Sequence, residues 1–533
     1  MQTEVLILGG GTSAVSASLA LAEMDISCMI VEETDWIGGQ LTAQAVPSDE
    51  HIWIEQFGCT RRYREFRNRL RKYYKESYRF TTESREDVFL NPGAGYVSPI
   101  CAEPRVIHDV LNSFIAPYRG NEKIKVILNH TLVDAQTEGK TLLSVRIKNS
   151  LTGKIEEIEA KLFIDATELG DLLPIAGIEY VTGFESQTET GEPSAPLEAQ
   201  PQNMQAFSAC FAISYDSKKE HVIEKPNNYE KWRKFKMPFF DEPWIGWNSV
   251  DPRTLGPLNF TFNPLDNENP LSVRANQKDN PGSGNLWTFR RILAAHHFET
   301  PEKFTDISLV NWPQLDYVER SIIDVSSEEK DLAIAGAKEQ SLSLLYWMQT
   351  EAPRVDGKVG WPGLKLRKDV VDSADGLAKH VYVRESRRIK ALYTVVEQDV
   401  SFAVRGIQGA RKFEDSVGVG HYRIDLHPST FGDNYLDVAS CPYQIPLKSL
   451  IPREKENVIA AGKNIGVTHI TNGCFRLHPT EWNIGESAGV LAALSIRRAT
   501  SPHAFASGER LNELQSQLSL QGIELAWPEV KPY

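Results

Sequence analysis

The segment Gly9-Gly10-Gly11-Thr12-Ser13-Ala14 constrains this chain more than any other. It follows the apolar run Glu4-Val5-Leu6-Ile7-Leu8 and leads into Ser13 to Met24, a stretch rich in Ala and Leu. A continuous apolar run of that length reads as a buried parallel strand, and the Ala/Leu stretch reads as a packed helix. A second strand is expected at Ser27 to Val31, closed by Glu32. Strand, tight turn, helix and strand form a βαβ unit, so the expected fold class is α/β, Rossmann-like at its N-terminus.

The same turn carries chemistry. In this G-x-G-x-x-A pattern the first glycine permits the turn and the second lets a diphosphate approach the backbone. The helix N-terminus adds unpaired N–H groups and the positive end of a dipole. Gly9, Gly11, Thr12, Ser13 and Ala14 are therefore the expected diphosphate cradle. Glu32, eighteen residues after Ala14, is placed to accept hydrogen bonds from an adenosine ribose, with Glu33 beside it. The pattern predicts dinucleotide binding without choosing the dinucleotide.

Length and composition set the frame. At 533 residues the chain exceeds what one growing core accommodates, so two closely joined domains are expected. A net charge of −13 argues against a general nucleic-acid binder. The absence of a long apolar run predicts no membrane span, and the absence of a basic leader before Val5 predicts a cytoplasmic protein. Six cysteines, none in a C-x-x-C pair, fit a reducing compartment and disfavour disulfide-reductase chemistry.

Residues 51–99 read as a helical insertion, with Phe57, Phe66, Leu70 and Tyr74 docked on the body and a basic face turned to water. Short β-rich runs between 123 and 165 suggest a meander that returns to the main sheet. From 181 to 440 the texture shifts to Pro, Asn, Asp and aromatic residues, with Trp244, Trp247, Trp287, Trp312, Trp347 and Trp361 concentrated there. These tryptophans build a core or line a pocket, the former being the ordinary role. Val458-Ile459-Ala460-Ala461 reads as a further strand leading into Gly462, with a small-residue helix beginning near Glu481. No internal repeat is evident.

Three further segments bear on the ligand: Trp36-Ile37-Gly38-Gly39-Gln40-Leu41-Thr42, Phe163-Ile164-Asp165-Ala166-Thr167 beside Gly170-Asp171, and Ala461-Gly462-Lys463-Asn464. With Arg384-Glu385-Ser386-Arg387-Arg388 and Arg476-Leu477-His478-Pro479-Thr480-Glu481-Trp482, they make nearly the whole chain resemble the FAD-dependent oxidoreductases of the glutathione-reductase-like group, and within it a large, mostly uncharacterised bacterial family. The resemblance implies FAD as cofactor. It implies a path from the first glycine turn past Gly39 and Gln40 to a helix N-terminus near Thr480 to Ile484, with Ala166, Thr167, Gly462, Asn483 and Ile484 along it and Val133 at the adenine. It also implies a discontinuous FAD-binding domain from 1–50, 100–180 and 441–533, and a second, α+β substrate domain from 181–440.

The expected reaction is that of a dehydrogenase or oxidase, moving a hydride between a small organic substrate and the flavin, with the external electron acceptor and the oligomeric state left open. A flavin monooxygenase or halogenase fed with externally reduced flavin is the first alternative, although Gly462-Lys463-Asn464 stands where aromatic hydroxylases have Gly-Asp. A non-catalytic nucleotide-binding protein is the second. No second glycine fingerprint is present, because Gly282 and Gly284 have Trp287 at the third position. His469 and His478 are candidate bases, with Arg476 and Glu481 beside them. Arg384 and Arg387, with Arg388, form either a carboxylate clamp on one helix face or ion pairs with Glu385 and other acids. Cys59 is a nucleophile, a flavin anchor or, as free cysteines usually are, a buried hydrophobe. Arg105 matches the family pattern without a derivable role.

Overall fold

The computed structural model describes residues 1–266 and 284–530; Gly282, weighed above as part of a second fingerprint, lies outside them. Strand β1 (Gln2–Leu8) runs parallel to β2 (Cys28–Val31) on one side and to β6 (Ile155–Asp165) on the other. Its last four residues, Val5 to Leu8, are fully buried, as the apolar run requires. β3 (Ile124–Ile127) continues the parallel sheet beyond β2, and Val458–Ala460 adds a parallel strand alongside β6.

β4 (His130–Glu138) and β5 (Thr141–Asn149) close the meander. They give the order β3-β2-β1-β6-β5-β4, in which β5 pairs antiparallel with both β4 and β6. β6 serves both halves. Its first residues alternate in burial against β5, whereas Leu162 to Asp165 are continuously buried between β1 and Val458–Ala460. The switch from alternating to continuous burial follows the switch from antiparallel to parallel neighbours.

Helix α1 (Thr12–Glu23) packs on the long helix His478–Arg498. Glycines make the approach possible: a Cβ on Gly485 would lie 2.2 Å from the Ser13 carbonyl oxygen, and one on Gly489 would lie 2.5 Å from that of Ala17. Ser16 Oγ donates to the Trp482 carbonyl at 2.8 Å. The chain's end is thereby held against its glycine turn.

Helix α2 (Arg61–Ser77) docks Phe66, Leu70 and Tyr74 as expected, but its basic residues do not all face water. Arg62, Arg67 and Arg71 are buried. Arg62 pairs with Glu486 at 2.8 Å, Arg67 with Glu50 at 2.9 Å and Glu55 at 2.7 Å, and Arg71 with Glu55 at 2.5 Å. Carboxylates from neighbouring segments make that burial tolerable, which a reading of one helix in isolation misses.

A separate four-stranded antiparallel sheet is formed by Arg291–Leu293, Ile307–Val310, Phe211–Tyr215 and Leu364–Leu366, in that order. Side chains alternate across it. Cys210, Ala212, Ile307 and Leu309 join the core of the parallel sheet, while Phe211, Ile213 and Val310 join a second core containing Trp287, Trp312, Trp347 and Trp361. From Ile389 onward, Val395, Val417 and Ile424 pack with the first core. No described helix is long and apolar enough to cross a membrane.

Candidate active site

The carboxyl ends of the parallel strands, where α/β sheets bind ligands, gather three distant stretches of chain. Gly9 has φ +87°, and a Cβ there would meet the Ala166 carbonyl oxygen at 2.3 Å. Gly11 begins α1 without any side-chain cap, and the buried Ser13 Oγ has no hydrogen-bond partner. Gly39 packs so closely that its Cβ would lie 2.8 Å from Gly11 Cα. On the far side, a Cβ on Gly462 would be 3.8 Å from both Ser13 Oγ and the Thr167 carbonyl. Asn464 fixes this junction by accepting from Gly462 N at 3.0 Å and donating to the Asp165 carbonyl at 3.1 Å.

An anion already lies over this turn. Glu168 Oε1 is 3.0 Å from where a Cβ on Gly11 would be and 2.7 Å from one on Gly39, and it has no hydrogen-bond partner. A carboxylate at an uncapped helix start is the expected response to the unpaired N–H groups and dipole. The glycine cradle, the orphaned Ser13 hydroxyl and this anion position fit a diphosphate.

Beside the cradle is a cavity of about 480 Å³ lined by Gly9, Glu32, Glu33, Val133, Thr167 and Asp171, among others. Glu32 accepts from Gly10 N at 2.6 Å, Thr34 N at 2.9 Å and Thr34 Oγ1 at 2.7 Å. Burial, aided by Glu33, still pushes its carboxyl up to about 7. Glu33 turns to His380 Nε2, 3.1 Å away; burial opposes its ionisation, but that imidazolium draws it down to about 2. Val133, 38% exposed, borders the cavity.

On the other side of Glu168, Lys463 Nζ pairs with Glu168 and lies 3.9 Å from Glu481. Gln40 Nε2 donates to Glu481 and, at 3.0 Å, to the Arg476 carbonyl, leaving Gln40 Oε1 without a partner. Burial, reinforced by Glu168 and opposed by Lys463, raises Glu481 to about 7. Glu481 thus sits among Gln40, Lys463 and Glu168 and not in the wall of the cavity around Asp49 and Arg476. The helix carrying it starts at His478, earlier than expected, with Pro479, which lacks an N–H, in its first turn. Asn483 and Ile484 therefore lie more than a turn inside: Asn483 Nδ2 donates to the Val419 carbonyl at 3.1 Å, and Ile484 is fully buried.

A second cavity, of about 360 Å³, has Asp49, Arg290, Tyr382, Arg384, Asp425 and Arg476 in its wall. Arg476 donates to Tyr382 Oη at 2.6 Å and pairs with Asp425 at 3.3 Å. Arg384 pairs with Asp316 at 3.2 Å and donates to the Ala206 carbonyl at 2.9 Å. His478 Nδ1 accepts from Asp49 N at 2.9 Å, and its Nε2 is buried without a partner. Burial, then the charges of Lys463 and Arg290, hold the ring down at about 3. A main-chain N–H only donates, so the neutral ring carries its proton on Nε2. In this structure His478 accepts one hydrogen bond and keeps an unpartnered Nε2–H, and its depressed pKa departs from the expected near-neutral base.

The other expected residues lie apart. His469 Nδ1 bonds Glu385 at 2.8 Å and its ring stacks on Phe184 at 3.6 Å, away from the cavity wall. Residues 383–387 form no helix; they lie between the bridge of Tyr382 to Ser208 and the short strand Arg388–Ile389. Arg384 and Arg387 consequently diverge, and Arg387 pairs with Asp324 at 2.7 Å and Asp171 at 3.3 Å. The clamp on one helix face does not form. Cys59 is buried, and burial pushes its thiol up to about 12, so it is no nucleophile. Arg105 is exposed, 3.6 Å from Asp372. Asp49, Arg290, Tyr382 and Asp425 escaped sequence reasoning, since they are scattered along the chain and no motif spacing joins them. Lys463 stood inside a quoted motif.

The family model for FAD dependent oxidoreductases matches residues 4–518. No curated protein matches the chain. Among solved structures, the flavin-dependent monooxygenase PieE in complex with FAD and substrate is 10% identical over 97% of this chain and 62% of its own, with a TM-score of 0.32. L-proline dehydrogenase from P. horikoshii is 17% identical over 35% of this chain and 25% of its own, with a TM-score of 0.18. The flavin-dependent brominase Bmp2 is 15% identical over 40% of this chain and 47% of its own, with a TM-score of 0.24. The chain thus spans less than two thirds of each of these proteins. By the match to nearly its whole length, the chain belongs to the FAD dependent oxidoreductase family and is an enzyme with FAD as its cofactor.

Proposed function

We propose that the enzyme is a dehydrogenase or oxidase of a small organic substrate held in the 360 Å³ cavity. The observation that carries this reading is the double attachment of Arg476. Its carbonyl accepts from Gln40 on the dinucleotide side, while its guanidinium reaches Tyr382 and Asp425 in the cavity wall. When bound, FAD would supply the electron chemistry, as the acceptor of a hydride.

The residues that would hold it are the main-chain N–H groups of Thr12 and Ser13 for the diphosphate, Glu32 for the ribose, Val133 for the adenine, and Gly39, Gln40, Ala166, Thr167 and Gly462 along its length. Glu168 would yield its place over Gly11. The uncapped first turn of the His478 helix offers positive dipole character to developing negative charge. Asp49 is the base for the substrate's hydroxyl or ammonium proton: burial raises its carboxyl above the ordinary range, against the pull of Arg290 and Arg476, and it lines the cavity. Residues 181 to about 383, with the tryptophan core, would serve as the substrate domain. The glutathione-reductase-like grouping and a cytoplasmic setting remain part of this proposal.

The test supplies holoenzyme under argon with candidate alcohols, amines and hydroxy acids and a reducible dye, omitting nicotinamide nucleotides. Dye reduction by one donor class is the expected result. Turnover that demands a flavin reductant together with oxygen, and inserts an oxygen atom, would assign the enzyme to the monooxygenases instead.

A further inference from the structure

Four guanidinium groups line the 360 Å³ cavity, those of Arg290, Arg384, Arg423 and Arg476. Three have a carboxylate within hydrogen-bond reach: Arg384 with Asp316 at 3.2 Å, Arg476 with Asp425 at 3.3 Å, and Arg423 with Asp437. Arg290 differs. Among the described residues its one carboxylate neighbour is Asp49, with Oδ2 3.6 Å from Nη1, and its Nε and Nη1 are buried without a hydrogen-bond acceptor. A guanidinium does not shed its proton to relieve that situation, and buried donors of a charged group left unmade are costly. Its Cζ lies over the Phe289 ring, 4.9 Å from the centroid.

We infer that the substrate is a small carboxylate whose carboxylate group docks on Arg290. This rests on the proposed dehydrogenase or oxidase reading. The unpartnered Nε and Nη1 lie on different edges of the guanidinium, and each offers a charge-assisted hydrogen bond to a carboxylate oxygen. Arg384 and Arg476, in the same wall, are paired with Asp316 and Asp425, which leaves Arg290 as the guanidinium with open donors and keeps those two carboxylates engaged. With Asp49 already 3.6 Å from Arg290, the site has room for at most one further negative charge, which favours a monocarboxylate end over a phosphate dianion. Asp49 then lies beside the docked group. Its main-chain bond to His478, in the first turn of the flavin-side helix, sets the anchored substrate next to that helix.

The experiment uses holoenzyme and calorimetric titration with acetate, lactate, succinate and benzoate, each paired with its neutral amide, and with inorganic phosphate as a control. At least one carboxylate should bind at least about tenfold more tightly than its amide and than phosphate, as loss of a charge-assisted pair implies. Arg290→Gln should abolish that preference with FAD content and melting temperature unchanged, and Arg290→Lys should restore it in part. Amides or phosphate binding as well as carboxylates, no carboxylate preference at all, or an unchanged preference in Arg290→Gln would overturn the inference. Arg290-dependent carboxylate binding with FAD that no donor reduces would sink the dehydrogenase reading alone. Reduction by neutral donors with unaltered kinetics in Arg290→Gln would sink the carboxylate site alone.

Discussion

The main-chain N–H of Asp49 donates to Nδ1 of His478 across 2.9 Å, joining the wall of the cavity to the first turn of the helix that closes the chain onto α1. The bond fixes the tautomer of a ring that burial and the Lys463 and Arg290 charges keep neutral down to about pH 3. Nitrogen-15 NMR of the histidine rings should therefore find one residue, absent in His478→Asn, with bare Nδ1 and protonated Nε2 throughout pH 5 to 8; a His478 titrating near 6.5 would contradict this.

The same depressed value gives a sign for stability. Between about 6.5 and about 3 the unfolded state binds a proton at His478 and the folded state does not, so this group's contribution is lost as pH falls through that window, by up to roughly 1.4 kcal/mol per pH unit. Asp165 and Glu192, each raised by burial to about 7, act oppositely, stabilising the fold as pH falls. The pH dependence of the difference in unfolding free energy between wild type and His478→Asn isolates the histidine. That difference should shrink toward acid; a pH-independent difference is the contrary result.

Two glycines of one motif should fail in different ways. Gly9→Ala forces a side chain onto φ +87° and against the Ala166 carbonyl at 2.3 Å, so it should cost about 2 kcal/mol or more in a denaturant melt. Gly11→Ala meets mainly the movable end of Glu168, at 3.0 Å. It should fold normally yet bind FAD at least about tenfold more weakly in a fluorescence titration. Equal effects of both changes on stability would reject the cradle.

Glu486, fully buried, accepts from Arg62 at 2.8 Å, Thr60 at 2.6 Å and Trp482 at 2.5 Å. Arg62→Met should destabilise by about 3–5 kcal/mol because it strands that carboxylate. Replacing Glu486 as well, by Met, should recover a large part of the loss. A small effect of the single change would mean that water reaches the pair.

All six cysteines are free and buried. Ellman's reagent should find almost none in the native enzyme and six after denaturation. Rapid native labelling at Cys59 would reopen the reactive reading.

The N-terminal unit was legible because its information is local: Val5 to Leu8 announce a parallel strand, and Gly9, Gly11 and Glu32 lie at spacings that only one turn geometry satisfies. The convergence of Gly39, Thr167 and Gly462 on that turn followed from the resemblance, since no local pattern ties residues hundreds of positions apart. What escaped was long-range electrostatics. Arg62 reads as a surface charge until Glu486, 424 residues later, is beside it, and Arg290 has meaning only among Asp49, Arg384 and Arg476. Arg384 to Arg387 looked helical by spacing, but pairing of Tyr382 to Ser208 and of Arg388–Ile389 to Tyr180–Val181 pins the chain on both sides, and no helix forms between.

The most direct test of the account is the visible spectrum of the holoenzyme during anaerobic addition of small hydroxy and amino carboxylates, with no other reductant present. The account predicts that one of them bleaches the flavin band stoichiometrically, that the matching amide does not, and that air restores the colour or a dye accepts the electrons. A flavin that stays oxidised with every such donor, and bleaches only with a nicotinamide nucleotide or dithionite, would contradict it.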